Sequence, residues 1–135
     1  MNDYHELLGE SGPLAHHVPG FLPRAAQQRM AAAVAAAGVM KLTRSKAQLE
    51  SNAHMGWMRD VPEQQIKLLG TAEILGAIGL IVPAATGIAP DLTATAAACL
   101  AVLMGGAAAT HIFRHESAAA PSVLALLAII VATVR

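Results

Sequence analysis

The chain has 135 residues, 55% of them hydrophobic and 13% charged, and its formal charge is zero. That length fits one domain. The neutral balance, the lack of a basic stripe and a set of only four aromatics (Tyr4, Phe21, Trp57, Phe113) exclude a nucleic-acid partner.

Soluble domains carry about 25% charged residues, and here the deficit deepens along the chain. Beyond residue 68, Glu73, Asp91, Arg114, Glu116 and Arg135 are the only charges. So few polar groups cannot cover a water-exposed surface, and the exposed apolar area argues against a soluble bundle. The expected partner is the lipid bilayer.

Residues 1–24, "MNDYHELLGESGPLAHHVPGFLPR", contain Pro13, Pro19 and Pro23 with glycines and scattered acids. They lack the basic start of a secretory signal and are expected to form a disordered or irregular tail. His16 and His17 in such a tail are expected to be solvated rather than to hold a metal. The domain proper is expected over 25–135.

Residues 25–40, "AAQQRMAAAVAAAGVM", are the first helix, favoured by alanine. Its uncharged part after Arg29 is about 11 residues, against roughly 20 for a span. Counting from Phe21 lengthens it if Arg24 and Arg29 snorkel toward head groups. Whether this helix crosses is open.

Residues 41–67 are polar and charged, an aqueous loop with room for one short interfacial helix near Trp57. "DVPEQ" is a helix start, and residues 66–88 form a spanning helix that tolerates Pro83 in lipid. Residues 92–113 and 119–134 are two further spans, joined by a short turn at 114–118. The expected fold is all-α, a four-helix transmembrane bundle with three clear spans and a marginal first one. Lys41, Arg44, Lys46, Arg59 and Lys67 crowd one loop and Arg114 the other, so the multi-pass topology in the cell membrane puts loops 41–65 and 114–118 in the cytoplasm.

In lipid, close backbone approach rather than burial draws helices together. Ala97, Ala101, Gly105 and Ala109 form a small-residue ridge on the third span, and Ala72, Gly76, Gly79 and Pro83 share a narrow sector of the second. These ridges are expected to face each other or a neighbouring helix. Cys99 is alone, so an intrachain disulfide is excluded, and a buried inert thiol is expected there.

Glu73 stands six residues past Lys67, hence roughly 9 Å along the axis, inside the hydrocarbon. A charge at the centre of a span costs about 2.5–3.5 kcal/mol, so Glu73 should face the bundle and find a partner. Lys41, at the close of the first helix, and His111, in the last turn of the third span, are the candidates, with Arg114 and His115 just beyond. Two readings stand open. Glu73 and His111 form a proton-carrying or ligand-orienting cluster, or Glu73 and Lys41 form a polar clasp that fixes helix order. No phosphate loop, Cys-x-x-Cys or metal-ligand set is present, and a haem would need a counterpart that His111 lacks.

"AGVMKL", "GxxExxGAxGLxxP" around Glu73 and "AxxTH" ending at His111 resemble the DoxX-like family of small four-helix membrane proteins, over roughly residues 30–135. Gly38 and Lys41 match the close of the family's first helix. The resemblance implies a four-helix bundle, and a subunit or accessory of a quinone-linked membrane redox system, with other redox subunits or a second copy as partners. A quinone is the one cofactor it implies. The chain shows no catalytic motif of its own, and a transporter-like or scaffold protein without redox chemistry is the alternative. Gln27, Gln28 and Arg29 depart from the family's uninterrupted first helix.

Overall fold

Alanine, with no side-chain entropy to lose, fills the first helix, α1 (Arg24–Thr43). The computed structural model describes residues 24–89 and 91–134. After α1 come α2 (Lys46–Glu50), a 3₁₀ segment (Ala53–Asp60), α3 (Glu63–Thr86), α4 (Asp91–Phe113) and α5 (Ala119–Thr133). No strand occurs among the described residues, and the all-α bundle expected from the sequence is what forms. The irregular tail was expected over residues 1–24; residues 1–23 lie outside the described ones, and Arg24 opens α1.

The long loop is more ordered than its polarity suggests. Ser45 caps α2 through a capping box: its Oγ accepts from the Gln48 amide at 3.2 Å, and Gln48 Oε1 accepts from the Ser45 amide at 3.0 Å. The 3₁₀ segment bends at Met55, whose φ of −114° leaves the helical region. Met58 is fully buried against Leu49 and Ile66, with Met40, Met55, Trp57 and Val61 around them. The loop therefore folds down as a small apolar lid on one end of the bundle.

α3 starts at Glu63, within "DVPEQ" as expected, with Pro62 at its N-cap and no side chain capping it. The amides of Gln65 and Ile66 turn back onto the Pro62 carbonyl. α3 ends at Gly87, whose left-handed φ of 69° lets its amide donate to the Pro83 carbonyl at 2.9 Å.

The helices run up and down in sequence. α1 packs on α3, α3 on α4 and α4 on α5, and a lighter contact between α1 and α5 closes the ring. Met30, Ala31, Val34, Ala77, Leu80, Ala97, Leu100 and Ala128 form its core. Leu75, Ile78, Val102, Leu126 and Ile129 are exposed on the outside, an apolar surface suited to acyl chains. α3 and α4 are long and apolar enough to cross a bilayer. α5 was expected to span as fully, but its 15 residues reach only about 22 Å against a hydrocarbon core of about 30 Å.

The small-residue ridges meet their neighbours only in part. A Cβ on Gly76 would lie 2.5 Å from Leu100 and one on Gly79 would lie 2.6 Å from Ala96. Pro83 and Ala97 are buried and Ala101 half-buried. Gly105 and Ala109 are exposed instead. Four-residue steps rotate by about 40° each on a helix of 3.6 residues per turn, so the far end of the α4 ridge winds out of the interface. Ala72 is exposed as well and opens onto a shallow groove with Gln65, Leu68 and Leu69. Cys99, expected buried, is exposed on the outer side of α4.

Candidate functional site: a polar seam between α1 and α3

The seam begins with two glycines. A Cβ on Gly38 would stand 2.7 Å from the Gly70 carbonyl, and one on Gly70 would stand 2.9 Å from that of Gly38. Only glycine permits that approach. Lys41 and Glu73 each follow one of these glycines by three residues. Side chains on a helix lean toward its N-terminus. In an antiparallel pair Lys41 therefore leans into the bundle and Glu73 leans back toward the loop end, and the two meet.

Lys41 Nζ donates to both carboxylate oxygens of Glu73, at 2.9 Å to Oε1 and 2.8 Å to Oε2. Each residue is only 5% exposed. Charge-assisted bonds of this length are the strong class. Their worth lies in mutual dependence, because removal of one partner strands a charge in an apolar interior.

A second lysine works one turn toward the loop. Lys67 Nζ donates to the carbonyls of Lys41 (2.9 Å), Leu42 (3.1 Å) and Arg44 (3.2 Å). The last carbonyls of a helix have no partner within it. An ammonium has three donors and a charge suited to that helix end, so Lys67 closes α1 from the neighbouring helix. From the sequence Lys67 counts as one of the loop cations and as the foot of the spanning helix; its bond to the close of α1 is what the structure adds.

At the other end of the seam Gln27 Nε2 donates to the Leu80 carbonyl at 2.8 Å. Leu80 lies three residues before Pro83, next to Gly79, whose carbonyl the missing proline amide leaves without its ladder partner. Gln27, which looked like an interruption of α1, ties that helix to the backbone of α3 in the turn before the proline.

His111 is placed elsewhere. Its Nδ1 lies 2.9 Å from Glu116 Oε2, so His111 partners the α4–α5 loop, whereas Glu73 is held by Lys41. Arg114 completes this second cluster. It donates through Nε to Glu116 Oε1 at 3.0 Å, through Nη1 to Asp60 Oδ2 at 2.6 Å and through Nη2 to the Gly56 carbonyl at 3.2 Å. His115 adopts a left-handed φ of 57° to make the turn and stays exposed. The cluster ties loop 114–118 to the 3₁₀ segment, so both loops lie at one end of the bundle. The Arg114 guanidinium, then the His111 ring, hold the Glu116 carboxyl below its ordinary range, and hydrogen bonds to Glu116 and Asp60 raise Arg114 above its own.

Among the described residues no three of His, Cys, Asp and Glu gather closely enough to hold a metal ion. The model of the DoxX-like family matches residues 25–133. No curated protein and no solved structure matches the chain.

Proposed function

Because the chain belongs to the DoxX-like family and is a small membrane protein of that type, we propose that it serves as an accessory subunit of a membrane redox assembly. In this role it is a non-catalytic helical scaffold whose Lys41–Glu73 pair clasps α1 to α3. The family resemblance supports the quinone-linked setting. One observation carries the clasp: both oxygens of Glu73 are bonded to the same buried ammonium. A quinone head group, or a proton moving through Glu73, would have to displace that ammonium and strand it in a low-dielectric interior. His111, the expected titrating companion, is engaged by Glu116 instead. The cell membrane is the proposed location, with loops 41–65 and 114–118 cytoplasmic, a reading supported by their share of Lys and Arg.

The test separates holding from chemistry. Native protein, Glu73→Gln, Lys41→Met and the double variant Lys41→Met with Glu73→Met are purified in mild detergent and unfolded with a denaturing one. A clasp requires each single change to weaken the fold and the double change to recover most of the loss, with a ubiquinone analogue leaving all four transitions where they were. A Glu73→Gln protein as stable as the native one, joined to a native transition that the quinone analogue shifts, would overturn the reading.

A further inference from the structure

The bundle end that carries both loops holds six cations, and most have a fixed partner within the protein. Lys41 is bound to Glu73, Lys67 to the end of α1, and Arg114 to Asp60 and Glu116. The exceptions are Arg44 and Arg59, both exposed, whose guanidiniums make no hydrogen bond or ion pair among the described residues. Lys46 stands beside them. Its ammonium donates to the Arg59 carbonyl at 3.3 Å and lies 3.8 Å from Glu50, a long, half-exposed surface pair of a kind that contributes little. The remaining carboxylates at this end are Asp60 and Glu116, both on Arg114, and Glu63.

Depth identifies the partner. Leu42 on α1 and Leu68 on α3 mark the last exposed large apolar side chains at this end of the two helices. The Arg44 amide still donates to the Met40 carbonyl at 3.1 Å, so the helical path continues, and Arg44 sits about 3 Å beyond Leu42 along the axis. That is where apolar contact gives way to head groups. Trp57, half-buried in the lid two residues before Arg59, has the amphipathic character of an interfacial anchor. The capping box of α2 and the buried Leu49 and Met58 hold the lid in place, so the cations are presented from an ordered surface.

We propose that Arg44, Lys46 and Arg59 form a docking surface for the phosphate of an anionic membrane lipid. Guanidinium matches phosphate geometry through paired donors, and each cation near a negative membrane surface contributes about 1 kcal/mol of attraction. The surface is separate from the Lys41–Glu73 pair, so either reading stands or falls without the other.

Trp57 is the only tryptophan and lies in the lid itself, so its emission reports the event. The full chain in mild detergent is titrated with phosphatidylglycerol and with phosphatidylcholine of the same short acyl chains. Phosphatidylglycerol is expected to saturate the emission change at about tenfold lower concentration than phosphatidylcholine, consistent with two added cation–phosphate contacts less their screening. The preference should vanish near 1 M salt, where the Debye length is about 3 Å. The Arg44→Gln, Arg59→Gln protein should lose it, and the Arg44→Lys, Arg59→Lys protein, folded by circular dichroism, should keep most of it. Equal response to the two lipids, an undiminished preference in the glutamine variant, or the same emission change with inorganic phosphate alone would each overturn the proposal.

Discussion

α1 and α3 are joined by polar groups along most of their length, at Gln27–Leu80, Lys41–Glu73 and Lys67 on the end of α1. α4 and α5 bring only aliphatic side chains to the shared core, among them Ala97, Leu100, Leu124, Leu127 and Ala128. The contrast follows composition. α1 carries Arg24, Gln27, Gln28, Arg29 and Lys41, and lipid tails offer it no apolar reason to leave them for a neighbour. Directional bonds and a glycine contact supply the attraction that its sequence lacks. α4 and α5, apolar over residues 96–109 and 123–132, need only shape. A helix short of apolar surface can thus be kept in a membrane bundle by a few bonds whose partners all lie on one neighbour.

The contrast breaks most sharply at the buried pair. Lys41→Ala, or Glu73→Gln with Lys41 kept, should cost about 3–5 kcal/mol, because a lone charge remains in the interior. Detergent-denaturant titration followed by circular dichroism measures it, and the paired change Lys41→Met, Glu73→Leu should recover most of the loss.

Glycines give the next largest effect. Gly70→Ala pushes a methyl group to 2.9 Å from the Gly38 carbonyl and should destabilise by about 1–3 kcal/mol, as overpacking does. Gly106→Ala meets nothing within 4 Å and should be neutral or stabilising by up to about 1 kcal/mol, from helix propensity. Thermal melts of the two variants side by side check the difference in sign.

Gln27→Leu should cost about 0.6–1.7 kcal/mol, the range of interhelical hydrogen bonds in membranes. Its relation to the proline sharpens the comparison. In a double-mutant cycle with Pro83→Ala the two effects should add, since the restored amide serves the Gly79 carbonyl four residues back and not the Leu80 carbonyl that Gln27 holds. A clear departure from additivity would tie Gln27 to the proline.

The smallest effect lies at the exposed cluster. The folded Glu116 carboxyl titrates below its ordinary value of 4.5, so its contribution is present above that pH and is lost as pH falls through the lower folded value. Protection of the Gly56 and Arg114 amides, taken relative to intrinsic hydrogen exchange at each pH, should therefore fall in acid below about pH 4.5, and Glu116→Gln should abolish the dependence. The Lys41–Glu73 seam should remain protected across the same pH range.

The helices were legible from apolar runs and turn residues, and α1, α3 and α4 lie within a few residues of their expected bounds. α5, at Ala119–Thr133, is one residue shorter than the apolar run of 119–134, so its shortness was already written in the length of that run. The meeting of Lys41 and Glu73 could be anticipated because an embedded acid needs a cation at matching depth and few exist. His111 shows the limit of that reasoning. Its depth also matched, but the left-handed turn at His115 brings Glu116 back onto it, so that even the Glu116 amide donates to the His111 carbonyl at 2.9 Å. A local turn thus outcompeted a distant partner. Gln27 and Lys67 were illegible for another reason: both bond to backbone carbonyls, which every residue possesses, so no complementary side chain marks the partner.

The clasp also sets an order of events during synthesis. Lys41 leaves the ribosome 32 positions ahead of Glu73, and Gln27 emerges 53 ahead of the carbonyl it serves. Were α1 to enter oil when first made, it would carry an unneutralised ammonium with it. Entry as a hairpin, after α3 has emerged, brings the opposite charges into the bilayer already joined.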